Sequence, residues 1–256
     1  MTKPVVSSLF RYIETLQGDQ PWGRFLDAGT GVKSLQWIST LTTDAWTAIT
    51  AAPGMVRDIR TAGRIDMRRQ DRILLGNWAD EGLLAGEAFD TVLVDYLVGA
   101  IEGFSPYWQD RVFHRLRPHV AGRLYLIGLE PYVPFDAETE AGKVIVEIGR
   151  LRDACLLLAG DRPYREFPAD WVIRHLQQAG FRLIDVRQFP IRYRERFVDG
   201  QLDMCLRRLP RFPSEPLAAS MRAEVERLRE HAHDVLQREN GLPHGSDYVI
   251  AAEPIN

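Results

Sequence analysis

The sequence predicts an α/β fold in which a largely parallel β-sheet lies between layers of helices. Short apolar runs alternate along the chain with amphipathic stretches, which is the pattern of repeated βαβ units. One run, Phe89–Asp95, is almost continuously apolar, as expected of a central parallel strand that is buried on both faces. At 256 residues, of which 45% are hydrophobic and 26% charged, the chain suits one domain with a real core.

The apolar runs predict seven strands, most of which are followed by a helix. The strands are residues 24–28, 46–50, 72–76, 89–95, 123–129, 181–189 and 247–252. The helices between them are residues 33–41, a helix that Pro53 opens, residues 105–116 and residues 168–180. A proline suits the first turn of three of these helices because that position needs no backbone N–H donor.

Two longer amphipathic stretches, residues 137–159 and 217–239, fall outside this alternation. Both come after the ends of strands, so they either pack on the body of the domain or cover a substrate, and the sequence leaves both interpretations open. We expect a single domain, residues 1–256, with an N-terminal helix in 1–21, an inserted helical cover at 133–166 and an insertion at 190–245 before the last strand.

The first strand ends in an acid and a glycine-rich turn, Asp27-Ala28-Gly29-Thr30-Gly31. Glycines let the backbone turn sharply and approach a ligand without a Cβ atom in the way. The N–H groups that begin the next helix point into the crevice outside the carboxyl ends of the strands, where ligands of open parallel sheets bind. A Gly-x-Gly pattern alone is weak evidence, because many doubly wound proteins contain one.

This turn resembles motif I of the class I S-adenosyl-L-methionine (SAM)-dependent methyltransferases, and further segments follow in the order of that family. They are Ala52-Pro53-Gly54-Met55, Leu75-Gly76-Asn77-Trp78, the strand 89–95, the turn 116–122 and the helix entry 165–170. The resemblance spans residues 22–189 and resumes at Asp247. The resemblance to the family rests on the order and spacing of these segments.

The resemblance implies a Rossmann-like three-layer αβα sandwich, with a seven-stranded, mostly parallel sheet whose last strand is antiparallel, plus helical insertions. It also implies SAM as the cofactor. In the family the glycine turn lies under the methionine part of SAM, an acid that ends strand two binds the ribose, and a polar side chain after strand three meets the adenine. By position, the implied cofactor-binding residues are Asp27, Ala28, Gly29, Thr30, Gly31, Thr50, Ala51, Asn77, Trp78 and Asp95.

The chain departs from the family pattern at two of these positions. Strand two ends in Thr50 where the family has an acid, and Lys33 replaces the third glycine of the motif. A hydroxyl cannot form the charge-assisted bidentate pair that a carboxylate makes with two ribose hydroxyls. The mode of cofactor binding therefore differs from that of the family in at least one contact.

A nicotinamide-dependent Rossmann enzyme is the main competing interpretation of the glycine turn. That class needs a third glycine and an acid about 20 residues later. Here the third glycine position is Ser34, and the second strand again ends in Thr50. An acid just before the glycines also suits a cationic cofactor better than a pyrophosphate, so we disfavour this class.

Methyl transfer from a sulfonium needs mainly alignment of the acceptor, the methyl group and the sulfur. The residues that follow strands four and five should face that volume, and we select Tyr96, Glu130 and Tyr132 as catalytic candidates. A tyrosine face also attracts a sulfonium, although ordinary packing explains both tyrosines equally well. Glu102 and His119 are alternative general bases, for which a solvated surface position is the more common situation.

Charge and composition limit the partners of the chain. A net charge of −3 and a pI near 6.1 argue against a nucleic-acid-binding protein. The lack of a long apolar run argues against a membrane protein, and the two cysteines fit a reducing cytoplasm. His231 and His233 diverge on their helix, and the other histidines lack ligands at suitable spacing, so we expect no metal.

The acceptor is predicted to be a small molecule, and its identity cannot be read from the sequence. Arginines in residues 161–165 and 192–194 make an acidic acceptor one option, with solvated surface arginines as the alternative. Two other functions remain open: a non-catalytic or partner subunit that retains the fold, and an enzyme like the aminopropyltransferases. Whether the chain forms a homo-oligomer is also open.

Overall fold

The structure is a computed structural model that describes residues 6–63 and 65–255. The chain forms two compact units. Unit 1 comprises the described residues of Met1–Leu129, Phe167–Phe189 and Tyr248–Asn256, and unit 2 comprises Glu130–Glu166 and Pro190–Asp247.

All seven predicted strands are confirmed, and they form one sheet in the order β3-β2-β1-β4-β5-β7-β6. The strands are β1 (Arg24–Asp27), β2 (Ala45–Thr50), β3 (Arg72–Leu75), β4 (Phe89–Asp95), β5 (Val120–Leu129), β6 (Phe181–Tyr193) and β7 (Leu242–Pro254). The pairs β3–β2, β2–β1, β1–β4 and β4–β5 are parallel, whereas β7 runs antiparallel to its neighbours. The predicted mostly parallel sheet with an antiparallel last strand is therefore confirmed.

The order of the strands reverses next to β1, which pairs with β2 on one side and β4 on the other. Asp27, the last residue of β1, lies opposite Ala48 of β2 and Leu93 of β4. Ligands of open α/β sheets bind at such a switch point, outside the carboxyl ends of the strands. The reversal therefore brings the ends of β1, β2 and β4 together at one edge of the sheet.

Helices of unit 1 cover both faces of its part of the sheet. They are α1 (Ser8–Gln17), α2 (Val32–Ile38), α3 (Pro53–Thr61), α4 (Leu97–Ala100), α5 (Val112–Leu116) and α7 (Ala169–Gln178). Side chains alternate along each strand, so Phe25 joins a cluster with residues of α1, α2 and α3, while Leu26 joins one with residues of α4, α5 and α7. Two apolar cores on opposite faces of one sheet make the predicted three-layer sandwich.

The predicted helix over residues 105–116 is wrong in its first half. Ser105-Pro106 lies in a turn, a 3₁₀ turn covers Gln109–Arg111, and α5 begins only at Val112. Tyr107 has a left-handed φ of +64°, which an α-helix does not accommodate. The serine and proline resemble a helix start, but the backbone at Tyr107 interrupts it.

Unit 2 consists mainly of three helices, α6 (Glu140–Leu158), α8 (Glu195–Arg208) and α9 (Glu215–Glu239), which pack against one another in pairs. The two predicted amphipathic stretches correspond to α6 and α9. The sequence analysis did not predict α8. Its buried residues Val198, Leu202 and Cys205 are spaced four and three apart, which is helical spacing, but charged residues surround this short stripe.

Asp71, which precedes β3, ties that strand to β2. Its carboxylate accepts hydrogen bonds from Trp46 N–H at 2.9 Å and Arg68 N–H at 2.8 Å, and the Arg68 guanidinium donates to both oxygens at 2.8 and 2.9 Å. Burial raises the pKa of Asp71, but the bonds from Arg68 and Trp46 outweigh it and leave the pKa below its ordinary value.

Asp71→Asn is expected to destabilise the protein by about 2 kcal/mol, because it removes the charge of a buried carboxylate that accepts hydrogen bonds from Trp46 and from the partly exposed Arg68. The melting temperature should fall by about 4–8 °C at pH 7. The folded pKa of Asp71 is depressed, so its contribution is present above the ordinary pKa of 3.8 and is lost as pH falls through the folded value. Calorimetric melting against pH measures this, and equal melting of Asp71→Asn and the exposed control Asp66→Asn would contradict it.

Candidate functional site

Backbone hydrogen bonds connect the segments that leave the carboxyl ends of β1, β2 and β3. Thr30 N–H donates to the Ile49 carbonyl at 2.8 Å, and Gly76 N–H donates to the Thr50 carbonyl at 2.9 Å. These bonds join the turns that follow β1 and β3 to the last two residues of β2. The three segments in which cofactor-binding residues were predicted are therefore held side by side.

Asp27 lies at the centre of this edge and is completely buried. Ser34 Oγ donates to Asp27 Oδ2 at 2.8 Å and accepts from Gly31 N–H at 3.0 Å, so one hydroxyl connects the acid to the glycine turn. Asp27 Oδ1 has no hydrogen-bond partner among the described residues. Burial raises the pKa of Asp27 to about 6, although Thr30, Ser34 and the Gly29 N–H favour the charged form.

The sequence analysis missed the role of Ser34. It treated residue 34 only as the position where a nicotinamide enzyme has a glycine. The usable signal was its spacing, because a serine three residues after the turn glycine returns its hydroxyl to the backbone N–H that precedes the helix. Ser34 thus positions the acid and the turn together.

The two turn glycines have different surroundings. A Cβ atom on Gly29 would lie 3.0 Å from the Leu97 side chain at the start of α4, so the turn approaches that helix too closely for a side chain. A Cβ atom on Gly31 would meet nothing within 4 Å, and Gly31 has an extended φ of −125°. Gly31 therefore borders open space, and its backbone conformation is open to other residues.

Thr50 ends β2 and is buried, and its hydroxyl has a local role. Thr50 Oγ1 accepts a hydrogen bond from Ala52 N–H at 3.2 Å, which fixes the turn through Ala51 into α3. A hydroxyl that accepts one bond can still donate another. Thr50 therefore offers a single donor at the position where the sequence comparison expected an acid.

Asn77, predicted to meet an adenine, is extensively hydrogen-bonded within unit 1. Asn77 Oδ1 accepts from Ser105 Oγ at 2.9 Å and from Ala79 N–H at 3.0 Å, and Nδ2 donates to the Phe104 carbonyl at 3.3 Å. These bonds tie the loop after β3 to the loop that follows α4. Part of the hydrogen-bonding capacity of Asn77 is thus used to hold these two loops together.

Trp78, also predicted to bind the cofactor, belongs to the core. It is 4% exposed, and its Nε1–H donates to the Ala28 carbonyl at 2.7 Å. The indole therefore holds the glycine turn in place by binding the carbonyl of Ala28.

The strand β4 ends at Asp95, and Tyr96, the first of the catalytic candidates, follows it directly. Tyr96 has a left-handed φ of +48° and precedes α4, while its N–H donates to the Ile127 carbonyl at 2.9 Å. A left-handed tyrosine is strained, and strained residues concentrate at functional sites. The backbone thus directs Tyr96 out of the strand at the carboxyl edge.

The other two catalytic candidates lie in unit 2. Glu130 N–H donates to the Ser246 carbonyl at 3.0 Å. Tyr132 is 7% exposed, and its hydroxyl lies 3.3 Å from Arg152 Nη1. Burial raises the pKa of Tyr132, opposed by the charge of Arg152. Tyr132 is therefore a neutral hydroxyl inside unit 2 at physiological pH.

Glu102 and His119 were expected at the solvated surface, and that expectation is wrong. Both are buried in unit 1. Glu102 Oε2 accepts from Gln109 Nε2 at 2.9 Å, and His119 Nδ1 lies 2.8 Å from the Glu87 carbonyl. Burial lowers the pKa of His119, so its ring is neutral at pH 7. Both side chains stabilise loops, which counts against them as general bases.

Two of the arginines that suggested an acidic acceptor bind the end of a helix. Arg192 Nη1 donates to the Glu239 carbonyl at 3.1 Å, and Arg194 Nη1 donates to the Asn240 carbonyl at 2.7 Å. Both cations thus satisfy carbonyl groups at the C-terminus of α9. The prediction of an acidic acceptor is therefore weakened, because two of the arginines on which it rested are bound to this helix end.

Three potential metal ligands, Glu195, Asp199 and His233, come within 4.8 Å of one another in unit 2. The sequence analysis compared His233 only with other histidines and missed this approach of α8 and α9. Asp199 Oδ1 already accepts from Arg229 at 2.7 Å and lies 3.0 Å from His233 Nε2. Asp199 is thus already paired with Arg229 and His233, and the absence of a metal stays a prediction.

Within residues 6–63 and 65–255, none of the helices combines the length and the apolar character that crossing a membrane requires. No protein-family model matches the sequence, and no curated protein matches it.

The structure is similar to solved structures that differ in activity. It matches a proposed methyltransferase from Bacillus halodurans with a TM-score of 0.61 and 14% identity, over 97% of this chain and 99% of that chain. It matches the mycolic acid cyclopropane synthase CmaA1, solved with S-adenosylhomocysteine, with a TM-score of 0.52 and 15% identity over 95% and 83% of the chains. It also matches the [4+2]-cyclase SpnF, with a TM-score of 0.54 and 16% identity over 96% and 81%.

Sequence identities this low establish similarity of fold only, and proteins that share one fold can catalyse different reactions. The seven-stranded, mostly parallel sheet and the position of the glycine turn after β1 agree with the expectation from the sequence. The chain has the Rossmann-like fold of the class I SAM-dependent methyltransferases.

Proposed function

We propose that the protein is a methyltransferase that uses SAM to methylate a small-molecule acceptor. The observation that carries the proposal is the turn of residues 27–31, where a buried acid and a glycine that borders open space meet at the strand-order reversal. The likeness to a solved structure with S-adenosylhomocysteine supports the same cofactor.

The residues present fit this cofactor in three respects. Asp27 Oδ1 is buried without a hydrogen-bond partner among the described residues, and the SAM molecule has a cationic amino group. Gly31 leaves room where a side chain would block the crevice. Thr50 retains a hydroxyl donor for a ribose. Asp27, Gly29, Thr30, Gly31 and Thr50 would therefore hold SAM, with Ala28, Ala51, Asn77, Trp78 and Asp95 as supporting residues.

SAM supplies a methyl group on a positively charged sulfur, which is a good leaving group. The work of the chain is then to align the acceptor and exclude water. Tyr96, Glu130 and Tyr132 are the proposed catalytic residues. Residues 1–256 are proposed to act as one methyltransferase domain, with an inserted helical cover at 133–166 and an insertion at 190–245 before the last strand.

Gly31→Val should abolish binding of SAM and S-adenosylhomocysteine and leave the fold intact. The valine side chain enters space that the folded chain does not use, so its only cost is to the ligand. Titration calorimetry measures the affinity, and thermal melting measures the fold. Affinity should fall by at least about 100-fold, since a clash with the ligand cancels more than one charge-assisted hydrogen bond.

Gly200→Val is the matched control, because a Cβ atom at Gly200 in α8 also meets nothing within 4 Å. It should bind SAM like the wild type. Unchanged affinity of Gly31→Val would place the cofactor elsewhere. Wild-type protein that binds neither SAM nor S-adenosylhomocysteine at millimolar concentration would favour the non-catalytic subunit, and preference for decarboxylated SAM would favour the aminopropyltransferase-like enzyme.

The affinity for SAM should rise as pH increases from 5 to 7. Asp27 has a pKa of about 6 in the free protein, and only its charged form attracts the amino group of the cofactor. The charged fraction rises from about one tenth to about nine tenths over this range, so affinity should increase about ninefold. Calorimetric titrations at several pH values, compared between the wild type and Asp27→Asn, measure this.

Asp27→Asn should bind SAM more weakly and show no such rise, whereas the exposed control Asp58→Asn should behave like the wild type. A second readout needs no ligand. Because the pKa of Asp27 rises from 3.8 to about 6 on folding, the wild type loses stability as pH increases through that window. Asp27→Asn should not lose it, and an identical pH profile of stability in both proteins would count against the assignment.

A further inference from the structure

The strand β6 forms an open edge of the sheet. In the order β3-β2-β1-β4-β5-β7-β6 it comes last, so β7 is its one neighbour among the described strands. Every second residue of an edge strand directs its backbone N–H and C=O groups away from the sheet. Residues 181–189 of β6 belong to unit 1, and this segment is longer than the typical strand of about five to six residues.

Two apolar side chains of this edge are open to solvent. Ile184 and Val186 are 38% and 40% exposed. They are two residues apart, and residues at that spacing in a strand share one face. A long edge strand with exposed apolar side chains is the part of a sheet that pairs with another chain.

The two charged side chains beside Val186 are held against α1. The Tyr12 hydroxyl of α1 donates to Asp185 Oδ1 at 2.6 Å. The Arg187 guanidinium lies 4.9 Å from the centre of the Tyr12 ring and 5.3 Å from that of the Phe189 ring. Charges protect an edge when they keep other strands away from it. Asp185 and Arg187 instead lie on the face of the sheet where α1 packs, so they leave the backbone of the edge accessible.

The opposite charges on the two sides of Val186 determine how two copies of this strand pair. In an antiparallel pair with its two-fold axis at Val186, Asp185 of one copy lies opposite Arg187 of the other, and the symmetry forms this pair twice. An axis one residue earlier would place Asp185 opposite its own copy, and an axis one residue later would do so with Arg187. Charge therefore favours the register centred on Val186.

We propose that two copies of the chain pair through β6, in antiparallel orientation, with the two-fold axis at Val186. The pairing joins the seven-stranded sheets of the two copies into one continuous sheet. It provides partners for the outward backbone groups of residues 183–189 and covers Ile184 and Val186, while the two Asp185–Arg187 pairs fix the register. The dimer goes beyond the proposed function, because it requires neither SAM nor an acceptor.

Analytical ultracentrifugation of the full-length protein measures the association. The wild type is expected to show a reversible equilibrium between monomer and dimer at concentrations up to about 100 µM. Hydrogen exchange provides a second readout, since the amides of residues 183–189 should become better protected as the protein concentration rises.

Two charge variants test the facing pairs. Asp185→Arg gathers four arginines around the axis, and Arg187→Asp gathers four aspartates. Each variant alone should weaken the dimer by at least about tenfold, because like charges directly opposite each other destabilise a pair of strands. An equal mixture of the two variants should form a heterodimer, because every facing pair again has opposite charges. Recovery in the mixture also shows that both variants are folded.

Asp58→Arg and Arg60→Asp are the matched controls. Both residues are exposed on α3 in unit 1, lie two positions apart and undergo the same changes of charge. Each control should dimerise like the wild type, and mixing the two should change nothing.

A disulfide tests the register. Opposite Cα atoms of an antiparallel pair lie about 4.5–5.5 Å apart, within the range that a disulfide bridges. Oxidised glutathione should therefore link two Val186→Cys copies, with one S–S bond formed between the introduced thiols and two molecules of reduced glutathione released. Ile184→Cys is the control, because the two introduced thiols would be four residues out of register, about 14 Å apart. The native Cys155 and Cys205 are buried and should not react.

The proposal fails in any of four cases. A wild type that stays monomeric to about 100 µM would show that the edge does not pair. Charge variants that associate like the wild type, or whose mixture does not associate, would remove the facing pairs. Cross-linking of Ile184→Cys as readily as Val186→Cys would place the axis elsewhere. Protection of residues 183–189 that is independent of concentration would show that another segment of the same chain covers the edge.

Discussion

The burial of one carboxyl group, that of Asp27, is the constraint on which the carboxyl edge of the sheet depends. Raising its pKa from 3.8 to about 6 corresponds to about 3 kcal/mol against the charged form. This cost falls at the point where the strand order reverses. Two contacts fix the backbone around the acid: the Ser34 hydroxyl connects it to Gly31, and Trp78 binds the carbonyl of the adjacent Ala28. The turn is therefore fixed before any ligand arrives.

The sequence predicted the features that depend on local patterns. Apolar runs identified all seven strands, and the acid followed by two glycines identified the turn at the end of β1. The roles of Trp78 and Asn77 depend on distant partners, Ala28 in one case and Ser105 in the other. Neither pairing leaves a periodic signal, so the sequence did not predict these bonds. The resemblance alone placed both residues at the cofactor, and that contact stays a prediction.

The same limit applies to unit 2. The helix α8 was missed because its apolar stripe is short. The role of Arg192 and Arg194 was left open between an acidic acceptor and the surface, because the helix end that they bind lies more than 40 residues later. The rings of Tyr132, in the loop after β5, and Tyr193, at the end of β6, lie 6.4 Å from each other although the two segments are far apart in the sequence. Sequence spacing does not reveal such a contact.

The two units use the same physical device. Each holds a carboxyl group, Asp27 in unit 1 and Glu166 in unit 2, whose pKa burial raises to about 6 and about 7. A cation bound beside either one pulls its pKa down, so binding releases part of a proton and acid opposes it. A buried acid whose pKa is close to the ambient pH is partly protonated. Its burial therefore costs less free energy than burial of a fully charged acid, and it can still ionise and pair with a bound cation. A protein whose proposed cofactor is cationic thus gains selectivity for charge at Asp27 without a permanently unpaired anion in that core.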